Sequence, residues 1–133
     1  EPLLMQGIDT AFAIEPDMAV STKERFMKTI RSTLYEPRLD SSGPTGFALS
    51  ALVSAHKYQT IDIKGDLVFL SKIDVLKDMR HIAVRGLFYY YSSQLTDKEI
   101  REIYDSAKTD VNIQALVVGE CAKHGIHVQG VAQ

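Results

Sequence analysis

The chain has 133 residues, 45% hydrophobic and 24% charged, which is the usage of an ordinary globular domain and too apolar for a disordered segment. Fifteen Lys and Arg against seventeen Asp and Glu give a formal net charge of −2, and the basic residues are scattered, which argues against nucleic acid or an anionic membrane as partner. The single cysteine, Cys121, excludes an internal disulfide, and the longest uncharged run, 41–55, falls short of the ~20 apolar residues a spanning helix needs.

These numbers predict one soluble domain over 1–133, compatible with the cytoplasm or with export after processing. The start at Glu1, without an initiator methionine, implies a processed or trimmed product. Residues 1–20 carry Leu3, Leu4, Met5, Ile8 and Phe12 at near-helical spacing, interrupted by Pro2, Gly7 and Pro16, and read as a short helix or an ordered arm. Ser21 with Glu24 has the form of a capping box, in which each side chain satisfies an unpaired backbone N–H at a helix start. The helix it opens, with Phe26, Met27, Ile30 and Leu34 on one face, ends before Pro37.

"EPRLDSSGPTG" (36–46) reads as a loop, and "TGFALSALVSAHKY" (45–58) as a helix whose small residues admit a close neighbour. "QTIDIKGD" (59–66) alternates with period two but is too short and isolated for a sheet. From 66 to 93 the pattern is helical throughout. One apolar stripe holds Phe69, Ile73, Leu76, Val84, Leu87 and Tyr91; a second, roughly opposite, holds Val68, Val75, Met79, Ile82 and Tyr89. Asp74, Asp78, His81 and Arg85 form the solvated strip between them. Thr96 with Glu99 is a second capping-box pattern, opening "TDKEIREIYDSAK" with Ile100, Ile103, Tyr104 and Ala107 on one face. Thr109 or Asp110 caps the last helix, where Val111, Ala115, Val118 and Ala122 recur along one face and Gly125 is placed to end it. The expectation is an all-α, single-domain bundle of about five helices around a long central helix at about 66–93.

Three groups of residues invite a chemical reading. Cys121, His124 and His127 have C-x-x-H-x-x-H spacing, a sulfur and two imidazoles of the kind zinc takes, but His127 joins only if the chain turns at Gly125, and a fourth ligand must come from elsewhere, such as His56 or His81. The competing reading is a buried thiol, a histidine at a helix C-terminus and an exposed tail. Cys121 with His124 also has the elements of a nucleophile pair, yet nothing around them resembles a catalytic signature. Arg80 lies in the middle of the main apolar stripe, where it must bend outward, snorkel to water or pair with a carboxylate across a helix or subunit contact.

The third group is "FYYY" (88–91). Tyrosines at successive positions point about 100° apart on a helix and cannot share one core, so Tyr91 is assigned to the core, Tyr89 to the second stripe and Tyr90 between them. One helix end cannot hide four adjacent aromatics in so small a domain, and Tyr is enriched where proteins meet. The reading that follows is a non-enzymatic protein-binding module, of inhibitor, immunity-protein or adaptor type. Its contact surface would comprise Arg80, Arg85, Tyr89, Tyr90, Gln94 and Leu95; its partner would be another protein, with a homodimer as one form. The immunity-protein comparison is an analogy of architecture, since no motif carries it. No cofactor is implied. The alternative is a small metal-dependent protein or enzyme centred on Cys121 and His124.

Overall fold

A computed structural model describes residues 2–15, 18–35, 42–73 and 77–131, without the side chains of 2–6, 9, 42–45 and 77–78. The described residues are helical, with no strand among them: α1 (Pro2–Ile14), α2 (Val20–Tyr35), α3 (Ser42–Gln59), α4 (Lys64–Lys72), α5 (Lys77–Tyr91), a 3-10 turn (Ser92–Gln94), α6 (Asp97–Ser106) and α7 (Val111–Lys123). They sort into two compact units, Glu1–Ile63 and Lys64–Gln133.

In the first unit α1 and α2 both pack on α3. Ile8 and Phe12 of α1, Met27, Ile30 and Leu34 of α2, and Ala48, Leu49, Leu52 and Ala55 of α3 are buried, and the Phe12 ring meets Phe26 edge-on. Each large aliphatic side chain removed from water contributes about 1.5–3 kcal/mol, so this cluster, more than helix propensity, fixes the arrangement. Gln59, the last residue of α3, is buried and donates through Nε2 to the carbonyls of Phe12 and Glu15, which lie at the end of α1 and have no intrahelical donor. Thr60 then turns the chain at φ 55°, a left-handed conformation unusual for a β-branched residue, with its hydroxyl donating to the Gln59 carbonyl at 2.7 Å.

Two expectations change in this unit. α2 begins at Val20, so Ser21 lies inside its first turn rather than at the cap, and the Lys23 N–H donates to the Ala19 carbonyl. α3 begins at Ser42, so the second half of the expected loop is helical; Pro44 falls within the first turn, where its missing N–H would be unpaired in any case. Residues 36–41, and the side chains of Leu3, Leu4 and Met5, lie outside the described residues.

In the second unit α4 packs on α5 and α6, and α7 on α5 and α6. The single helix expected over 66–93 is not formed: Ile73 is non-helical, and the stretch is divided into α4 and α5, which pack against each other. A continuous helix of that length would extend about 42 Å and leave much of its two apolar faces in water. Divided, the stretch buries Leu67 and Leu70 of α4 together with Val84, Leu87, Phe88 and Tyr91 of α5. Gly86 faces Leu67 across this contact, where a Cβ would stand at ordinary van der Waals distance, 3.9 Å, from Leu67 Cδ1. Residues 74–76, and the Asp78 side chain, lie outside the described residues.

Local signals further along are reproduced. Thr96 and Glu99 form the capping box in both directions, Asp110 caps α7 through the Ile113 N–H, and Gly125 has φ 68°. The Ile126 N–H donates to the Cys121 carbonyl at 2.8 Å and the Gly125 N–H to Ala122, the paired bonds of a Schellman termination.

Candidate functional site

α5 buries residues 83, 84, 87, 88 and 91, which leaves 81, 82, 85 and 89 on its outer side by the 3.6-residue period. Tyr89 is 75% exposed and Ile82, seven residues earlier on the same side, 51%. His81 and Arg85 flank them in solvent. The second apolar stripe inferred from sequence is therefore an outer face over this part of α5, and Tyr89 is not a packing residue. Tyr90 is half-buried, and its ring meets that of Tyr89 edge-on, with centroids 4.8 Å apart. Tyr91 is 4% exposed, in the core as the helical wheel requires. The 3-10 turn then carries Gln94 into solvent and leaves Leu95 partly covered.

Arg80 does not belong to this surface. It is 2% exposed, its Nε donates to the Ser71 carbonyl at 3.0 Å, and its Nη2 donates to Ser106 Oγ at 2.8 Å. The Ser106 hydroxyl in turn donates a hydrogen bond to the Ile103 carbonyl at 2.7 Å. Ser71 sits in the last turn of α4 and Ser106 at the end of α6, so the guanidinium lies between two helix C-termini, whose dipoles favour a cation. It neither bends out nor snorkels.

The Cys121 thiol is fully buried, and burial, reinforced by the negative charges of Glu120 and Asp97, pushes it above its ordinary value. His124 pairs through Nε2 with Glu120 at 3.6 Å and stacks on Phe88 with centroids 6.2 Å apart, while His127 is exposed beyond the turn at Gly125. His56 bonds the Ile61 carbonyl through Nδ1 at 3.0 Å. Among the described residues no three His, Cys, Asp or Glu side chains converge as a metal site. Sequence reasoning missed Glu120, a buried carboxylate contacted by both Lys123 and His124. Its i, i+4 relation to His124 was the available signal.

α7 also departs from expectation. Val111 is 71% exposed, and Ala115, Val118 and Ala122 are exposed with it, while Ile113, Val117 and Cys121 are buried. Both faces are apolar, and the one with the larger side chains went inward. No described helix is long and apolar enough to cross a membrane. Comparison with protein-family models, with curated proteins and with solved structures finds no match.

Proposed function

We propose that the protein is a non-enzymatic protein-binding module that meets its partner through the outer face of α5, with Tyr89 as the anchor and Arg85, Tyr90, Gln94 and Leu95 around it. The observation that carries this reading is a tyrosine three-quarters exposed at the end of a helix and braced edge-on by its neighbour. A ring held in place loses little conformational entropy on binding, and Tyr and Arg are the residue types that dominate interface energies. Ile82 extends the same face by two turns. A second copy of the chain is one partner this face would take.

The double substitution Tyr89→Ala with Tyr90→Ala tests the reading. Its thermal melt should fall only by what the half-buried Tyr90 ring contributes, without loss of the fold, because Tyr89 adds little buried area. Self-association, measured by light scattering over a range of concentrations, should weaken by about tenfold or more, the effect of losing a hot-spot ring. A variant that unfolds would return the tyrosines to the core, and one that associates like the parent would remove this face from the contact.

A further inference from the structure

A second surface, confined to the first unit, points to a partner of defined chemistry. Val20, Lys23, Glu24, Met27, Lys28 and Arg31 of α2, with Ile61 opposite, line an open groove of about 360 Å³. The α2 positions fall at i, i+3, i+4, i+7, i+8 and i+11, so the groove follows one face of the helix for three turns, roughly 16 Å. Its floor is apolar: Met27 is buried beneath it, and Val20 stands 68% exposed at its end. Its rim carries Lys23 and Lys28 against Glu24, with Arg31, which is already engaged, at the far end, in a chain whose net charge is −2.

We infer that this groove binds an acidic amphipathic helix from a partner protein, seated with its apolar side chains over Val20, Met27 and Ile61 and its carboxylates toward Lys23 and Lys28. Length favours a helix, because a partner helix presents anchors at i, i+3 or i+4 and i+7 along the same three turns. Charge selects the sign. The groove gathers Lys23 and Lys28 on one helix face of a chain whose net charge is −2, so an acidic partner is attracted locally to this face. Methionine at the floor adapts its unbranched thioether to different apolar anchors. This surface uses none of the α5 residues.

The test uses the full chain and two fluorescein-labelled synthetic peptides of 16 residues, both with Leu and Phe at i, i+4, i+7 and i+11. One carries Glu at the remaining exposed positions and the other Lys. Fluorescence anisotropy at low salt should show binding of the Glu peptide and at least about tenfold weaker binding of the Lys peptide. Reversing Lys23→Glu and Lys28→Glu should weaken the Glu peptide by about tenfold, as each exposed attraction is converted to repulsion. Val20→Ser, which removes apolar floor without adding charge, should weaken both peptides, and Tyr89→Ala neither, which separates this groove from the α5 face. Equal binding of the two peptides, or Glu-peptide binding indifferent to the Lys23 and Lys28 reversals, would overturn the assignment. So would adsorption of the chain to phosphatidylglycerol vesicles through these lysines in the absence of any peptide binding.

Discussion

Among single residues Arg80 carries the largest energetic stake. A guanidinium at 2% exposure costs several kcal/mol unless oxygen atoms take up its donors, and the two that do, the Ser71 carbonyl and Ser106 Oγ, belong to the ends of α4 and α6. A methionine at this position would fill most of the volume but leave a buried helix-end carbonyl without its donor, so Arg80→Met should cost about 2 kcal/mol. Arg80→Ala adds a cavity and should cost about 4 kcal/mol, and Ser106→Ala, which removes one bond, about 1 kcal/mol. Urea unfolding of the three variants gives the order; an Arg80→Ala protein no less stable than Ser106→Ala would refute the network. The helical wheel located Arg80 correctly in the inward stripe. What it lacked was the acceptors, 9 and 26 residues away in sequence, and without them a buried arginine reads as an anomaly to be pushed outward.

At the scale of elements, features set by neighbouring residues were legible and those set by packing were not. Thr96, Glu99, Asp110 and Gly125 act on backbone groups within a turn or so of themselves, so their spacing places both caps and the stop, although the same spacing at Ser21 and Glu24 falls inside the first turn of α2 rather than at its cap. The division at Ile73 and the outward turn of Val111 and Val118 depend on which apolar face finds a neighbour, and α4, α5 and α7 each offered two. The capping box also makes a pH prediction. Burial pushes the Glu99 carboxyl up, but the Thr96 N–H, Lys64 at 3.0 Å and the Thr96 hydroxyl together outweigh it and hold the group below its ordinary value of 4.5. Its folded-state value therefore lies under the unfolded one. The stabilisation is complete above the ordinary value and is lost as pH falls through the folded value. Glu99→Gln keeps an acceptor for Thr96 but surrenders the charge, so it should melt below the parent at neutral pH by the equivalent of about 1 kcal/mol. In acid, once the parent's carboxyl is protonated, the two melts should converge; a constant gap at both pH values would mean the charge contributes nothing.

At the scale of the whole molecule, the proposed contact with a second copy would cover one exposed apolar face. Among its described residues the second unit offers Ile82 and Tyr89 on α5, Val111 and Val118 on α7, and Phe69 by itself on α4. A stable interface covers about 800 Å² on each partner, more than any one side chain supplies, so the anchor must be joined by a ring of lesser contacts. α5 has that composition, with a braced tyrosine, an arginine four residues before it and the polar Gln94 at its edge. α7 presents only Val and Ala, which approach a neighbour closely but add little energy per residue and are rarely hot spots. A buried aspartate without a partner is costly, so placing one on each face in turn separates them. Tyr89→Asp should reduce the weight-average mass at high concentration to that of a single chain, and Val118→Asp should leave it at the parent's value. Both variants should keep the parent's melt within about 0.5 kcal/mol, because each change sits at a position that is solvent-exposed in the isolated chain. If Val118→Asp dissociates the assembly and Tyr89→Asp does not, the contact lies on α7, and the tyrosines at the end of α5 are no more than an exposed helix end.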